Sequence, residues 1–234
     1  MIVLAVVCLV IFMLASLRSN RGALTAEVLL RFYLYVASFV TLVMLVAGLC
    51  FLLTGLFSLA SPAFSYQRPI RFQPAAAAPA NATAEQAAQR QQVVQQQQDE
   101  EQLRDQQSTD LIRGGTLSVL GLGLFLLHAF LRRTFTPADG GAAPFFRGYL
   151  TVGLVTFGIV GLVSLPIGIY EAIKFAVVPL LATQPRVAPG NTLATGIVLT
   201  PVWVIYLFRL TNLARRPQAA AEPEAGVAAA GLSD

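Results

Sequence analysis

The length of the uncharged runs is what most limits how this chain can fold. Residues 32–53, FYLYVASFVTLVMLVAGLCFLL, contain no Asp, Glu, Lys or Arg. A helix needs about 20 mostly apolar residues to cross a hydrocarbon core of about 30 Å. It must also close its own backbone hydrogen bonds, because lipid supplies no partners. Four further stretches read the same way: 2–17, 115–131, 148–169 and 193–213. The first is short and leans on Arg18, which can snorkel to the headgroups. In the last, Arg209 falls near the end rather than the middle. Composition agrees: 12% of the 234 residues are charged, about half of what a soluble domain carries. The reading is an all-α, polytopic transmembrane bundle of five spans.

Residues 1–22 read as a retained leading helix and not as a cleaved signal, since no basic residue precedes the apolar run and Arg18 and Arg21 follow it. With five spans, one membrane face collects Arg18, Arg21, Arg31, Arg132, Arg133, Arg147, Arg209, Arg215 and Arg216, all close to span ends. The opposite face holds Arg68, Arg71, Arg90, Arg104, Arg113, Lys174 and Arg186, some of them deep in a long acidic loop. Basic residues near span ends mark the cytoplasmic side. The expectation is therefore a bacterial cytoplasmic (inner) membrane protein with its N-terminus outside and its C-terminus in the cytoplasm. The net charge of +4 flanks apolar runs and forms no patch interleaved with aromatics, so no nucleic acid is expected as partner.

The chain also writes one opening twice. RFYLYV begins at Arg31 and RGYLTV at Arg147, matching Arg31 with Arg147 and Tyr33 with Tyr149. In such an opening, Arg reaches headgroup phosphates and Tyr straddles the interface, so these four residues are expected as interface anchors. The helices that follow correspond as well. Gly123-x-Phe125-x-x-His128 matches Pro201-x-Trp203-x-x-Tyr206, and both segments end in paired arginines. The expected organisation is two parallel helix-hairpin repeats, 26–133 and 145–216, after the leading helix. An extracytoplasmic low-complexity insert at 62–112 and a disordered tail at 217–234 complete it.

The Arg-x-Tyr-Leu opening and the Gly/Pro-x-aromatic-x-x-His/Tyr pattern resemble a family of bacterial integral membrane proteins classed as domain of unknown function 5671, here in two tandem copies. The likeness covers about 28–133 and 145–213, and each copy keeps only part of the pattern. It implies an architecture and supplies no chemistry.

Within the insert, FQPAAAAPANATA should be extended, while the Gln- and Glu-rich stretch after it holds strong helix formers and no Gly or Pro. Val93, Val94, Leu103 and Leu111 are too sparse for a heptad, so a protruding helical extension into the third span is expected. Small residues spaced by four or seven, such as Gly48 with Gly55 and Gly114 with Ser118, suit close helix contact. Cys8 and Cys50 lie inside spans and read as apolar filler.

Few residues could carry chemistry. His128 is the only histidine; it is a weak candidate ligand for a haem or chlorophyll metal, and otherwise bonds a headgroup, a carbonyl or Tyr206. Glu171 and Lys174 share a helix face three residues apart. They follow Pro166, where a kink is expected, and read as a wet ion pair on a helix lying along the outer interface. No nucleotide loop, metal cluster or nucleophile triad is present; GLGLF at 121–125 is apolar and helical, not a dinucleotide turn. The chain is expected to be no enzyme and to need no cofactor or metal. Its expected partners are the lipid bilayer and other membrane proteins or itself. The leading expectation is a structural or accessory subunit. The alternatives are a small transporter or channel component, and a cofactor-binding subunit of an electron-transfer or light-harvesting complex using His128.

Overall fold

The computed structural model describes residues 11, 26–66, 82–135, 143–177 and 188–230. The leading span expected at 2–17 lies outside the described residues except for Ile11. Among the described residues from 26 onwards five helices follow one another: α1 Ala26–Ala60, α2 Pro62–Ser65, α3 Ala82–Phe135, α4 Ala143–Val177 and α5 Gly190–Ala230. Among the described residues no strand occurs, and four helices (all but α2) are long and apolar enough to cross a membrane.

These helices are apolar around most of their circumference. Only 33% of the most apolar window of α1, and 17% of that of α3, is buried within the protein. The rest presents Val40, Leu49, Val119, Leu126, Phe130, Val155 and Phe208 outwards. An apolar surface this continuous suits lipid and not water. Hydroxyls turn inward on their own helices: Thr41 donates to Ala37 O, Thr54 to Cys50 O and Ser58 to Gly55 O. That is the local solution where water is scarce.

Helix α1 stops at Ala60 because Pro62 biases Ser61 away from helical backbone, and Ser61 is extended (φ −156°, ψ 107°). Proline then starts α2, where a missing N–H costs nothing. Ser65 folds the turn back by donating to Thr54 O at 2.9 Å.

Two stretches differ from expectation. Helix α4 runs unbroken through Pro166 to Val177, so Glu171 and Lys174 belong to the same rod as the fourth span and not to a separate surface helix. Proline removes one ladder bond and Gly168 is a weak helix former, but Gly168 packs directly on Leu193, and Glu171, Ala172, Lys174 and Ala176 beyond it are good helix formers. Helix α5 runs on to Ala230, where composition predicts disorder; the alanines there have the highest helix propensity of any residue. Helix α3 takes in the Gln-rich stretch and the third span as one element of 54 residues, the helical extension that the sequence predicts.

The chain divides into two compact units. One comprises Met1–Val43, Leu122–Leu162 and Leu199–Asp234. Its core is aromatic: Tyr35, Phe39, Tyr149, Phe157 and Tyr206 are all buried. Their rings meet in series, with Phe39 edge-on to Tyr149 at 6.3 Å and Phe157 edge-on to Tyr206 at 5.6 Å, geometries favoured by the ring quadrupole. Here α4 and α5 pack antiparallel. A Cβ on Gly158 would meet the Trp203 ring, and one on Gly161 would meet Leu199.

The other unit comprises Met44–Gly121 and Val163–Val198. Here backbones touch. A Cβ on Gly48 would fall 2.5 Å from Ser118 N, and one on Gly121 would fall 2.6 Å from Leu45 N. Gly114 faces Leu52 in the same way. Between α4 and α5, Gly168 faces Leu193 and Gly196 faces Leu165. Small residues let helices approach without a hydrophobic drive between them.

Candidate functional site

In the first unit, α3 delivers Arg132 one turn after His128, α1 delivers Tyr35, α4 Tyr149 and α5 Tyr206. The Tyr206 hydroxyl donates to the Tyr149 hydroxyl at 2.6 Å, and both residues are buried. The Arg132 guanidinium lies 5.1 Å from the Tyr35 ring centroid and 5.4 Å from that of Tyr149, within the range of a cation–π contact. One terminal nitrogen of Arg132, NH1, is buried with no hydrogen-bond partner among the described residues. Arg31 and Arg132 lie within electrostatic reach of Tyr35, and Arg132 and Arg209 within reach of Tyr206.

In the second unit a crevice of about 470 Å³ is lined by Phe51, Thr54, Ser65, Tyr66, Asp105 and Asp110, together with Gln106, Thr109 and Asn191. Tyr66 donates to Asp110 Oδ2 at 2.9 Å. Burial first, then the bond to Asp110 and its charge, push the Tyr66 hydroxyl up to about 12. Arg113 lies over the Phe51 ring at 5.6 Å.

The residues singled out by sequence are dispersed. His128 donates Nδ1–H to Leu124 O at 2.7 Å within its own helix, and its ring stands 6.2 Å from that of Tyr33. It does not bond Tyr206, which Tyr149 occupies. Of the four expected anchors, Tyr33 (58% exposed) and Arg147 face outwards and Arg31 is half-buried, but Tyr149 (4% exposed) is core. Its hydroxyl accepts from Tyr206 inside the protein, so the ring sits in the core and not at an interface. Glu171 keeps Oε2 buried with no hydrogen-bond partner among the described residues, while Lys174 is exposed. Cys50 is unpaired and half-buried; Cys8 lies outside the described residues. Among the described residues no group of three His, Cys, Asp or Glu could hold a metal.

The sequence reading missed Tyr35, Tyr66 and the stacking of Arg132. A signal existed for the first, since Tyr33 and Tyr35 both follow Arg31. None existed for Tyr66, which meets Asp110 from 44 residues away. The helices and their outward apolar surface fit an integral membrane protein. The chain matches no protein-family model, no curated protein and no solved structure.

Proposed function

We propose that this is a non-enzymatic structural or accessory subunit of a bacterial cytoplasmic membrane, built as a leading helix and two look-alike hairpins. The observation that supports it best is the charge-free, close packing of the spans. Gly114 and Gly121 lie against the α1 backbone, and Gly168 and Gly196 link α4 and α5 likewise. No charged residue occurs between Arg31 and Tyr66, between Arg113 and Arg132, between Arg147 and Glu171, or between Gly190 and Arg209. A proton or ion relay needs such residues inside its spans.

The contacts also support the duplication. A step of 116 residues takes Tyr33 to Tyr149, and a step of 78 takes His128 to Tyr206. Tyr33 meets His128, and Tyr149 meets Tyr206. The same steps carry Leu45 to Gly161 and Gly121 to Leu199, again a contact in each hairpin with the glycine on the other helix. They carry Leu52 to Gly168 and Gly114 to Thr192, and Gly168 does lie against Thr192 and Leu193. The matches amount to one register shared by both hairpins, since antiparallel helices that agree at one level agree along their length.

Purification from native membranes in mild detergent, with mass spectrometry of what travels along, should return a stoichiometric membrane partner. Solute flux through liposomes holding the purified chain alone would overturn the reading. The runner-up, a small transporter or channel component, draws on the crevice with Asp105 and Asp110, and the same flux measurement decides for it. The arginine distribution supports a cytoplasmic C-terminus. A reporter fused there should be active on the cytoplasmic side; activity on the outer side reverses the orientation.

A further inference from the structure

We infer that Arg132, with the Tyr149–Tyr206 hydroxyl pair, binds the phosphate of an anionic phospholipid. The site has more donors than acceptors. Two hydroxyls share one hydrogen bond, so whichever donates, one O–H is left over, and both residues are buried. Arg132 NH1 is a second buried donor without an acceptor. A buried donor left unmade is costly, and an oxyanion is the ligand that accepts from both at once.

The guanidinium is also oriented for this. Tyr35 and Tyr149 lie at stacking distance, so the rings engage its π-system while the N–H fork in its plane is left to hydrogen-bond a phosphate. Charge points to an anion. Within the helices of this unit seven arginines, Arg31, Arg132, Arg133, Arg147, Arg209, Arg215 and Arg216, outnumber three carboxylates, Glu27, Glu222 and Glu224. A zwitterionic headgroup would bring a cation of its own. Free phosphate would answer the charge but not the surroundings: Leu127 and Phe130, just before Arg132 on α3, are 51% and 65% exposed. They offer acyl chains a surface beside the phosphate. Basic pockets between spans hold anionic headgroups in this manner.

The inference rests on the membrane reading, and the test separates the two. The full chain is reconstituted in nanodiscs of phosphatidylcholine and phosphatidylglycerol, released into mild detergent, and its retained lipids are counted by native mass spectrometry. The wild type should retain phosphatidylglycerol in preference to phosphatidylcholine. R132Q should lower that retention about tenfold, while R133Q, which removes the same charge next door, should change it less than about twofold. R132K keeps the charge without the planar fork and should also lose retention severalfold; Trp203 emission reports whether each variant is folded. Equal losses in R132Q and R133Q, full retention in R132K, indifference to headgroup, or displacement of the lipid by inorganic phosphate would each overturn the site. A chain that never enters the nanodisc overturns the membrane reading itself.

Discussion

The four glycines of α3 that lie within or beside its apolar run divide into two kinds, and this yields a controlled experiment. Gly114 and Gly121 lie against α1, whereas a Cβ on Gly115 or Gly123 meets nothing within 4 Å. A methyl at Gly121 would sit 2.6 Å from Leu45 N, and 3.4 Å is the near limit of ordinary contact. The helices must therefore part by roughly 0.8 Å there, enough to forfeit a quarter or more of the dispersion well of neighbouring contacts. Overpacking of this kind costs about 1–3 kcal/mol. Replacing Gly by Ala inside a helix returns up to about 1 kcal/mol of propensity, but it does so in all four variants and cancels from the comparison. Gly114→Ala and Gly121→Ala should thus be about 1–3 kcal/mol less stable than Gly115→Ala and Gly123→Ala. Denaturant titration in mixed micelles, followed by far-ultraviolet circular dichroism, measures this. Four variants agreeing within about 0.5 kcal/mol would refute the reasoning, because that spread is typical of surface sites.

Other predictions draw on single contacts. Tyr206→Phe and Tyr149→Phe should each destabilise by about 1–3 kcal/mol by leaving a buried hydroxyl alone, and the double variant should be less destabilised than the sum of the two; additive thermal shifts would argue against a shared bond. Tyr66 is held near 12 in the folded chain, and an unfolded tyrosine ionises near about 10. Between those values the unfolded chain has released a proton that the folded chain keeps. This contribution is therefore complete below about pH 10 and fades as pH climbs towards 12. Tyr66→Phe should flatten that part of the alkaline stability profile, and an unchanged slope would count against the Tyr66–Asp110 bond. His128 donates Nδ1–H to Leu124 O, which leaves Nε2 as the nitrogen a metal would take; with no second histidine in the chain, the purified protein should show no Soret band, and one that vanishes in His128→Ala would favour a cofactor-binding role.

What the sequence could reveal follows from range. Run length alone marks the four described spans, because a stretch such as 32–53 has no soluble alternative that buries it. The helical Gln-rich segment is likewise a local matter of propensity. The tyrosine cluster is not local. Arg132, Tyr35, Tyr149 and Tyr206 come from four helices, and Arg-x-Tyr at a span end reads as an anchor whether the ring faces outwards, as Tyr33 does, or into the core, as Tyr149 does. Only the direction of the helix face separates them, and an all-apolar helix has too little amphipathic signal to show it. Pro166 is the converse case, a strong local breaker overridden by the helix around it.

Helix α3 has 54 residues, about 81 Å at 1.5 Å per residue, while a hydrocarbon core is about 30 Å thick. From Val93 to Gly114, where its backbone first touches α1, is about 32 Å along the rod. The exposed valines Val93 and Val94 are thereby held at a set distance along the helix from that packed stretch. Each residue added between them would lengthen that distance by about 1.5 Å and turn the two valines by about 100°.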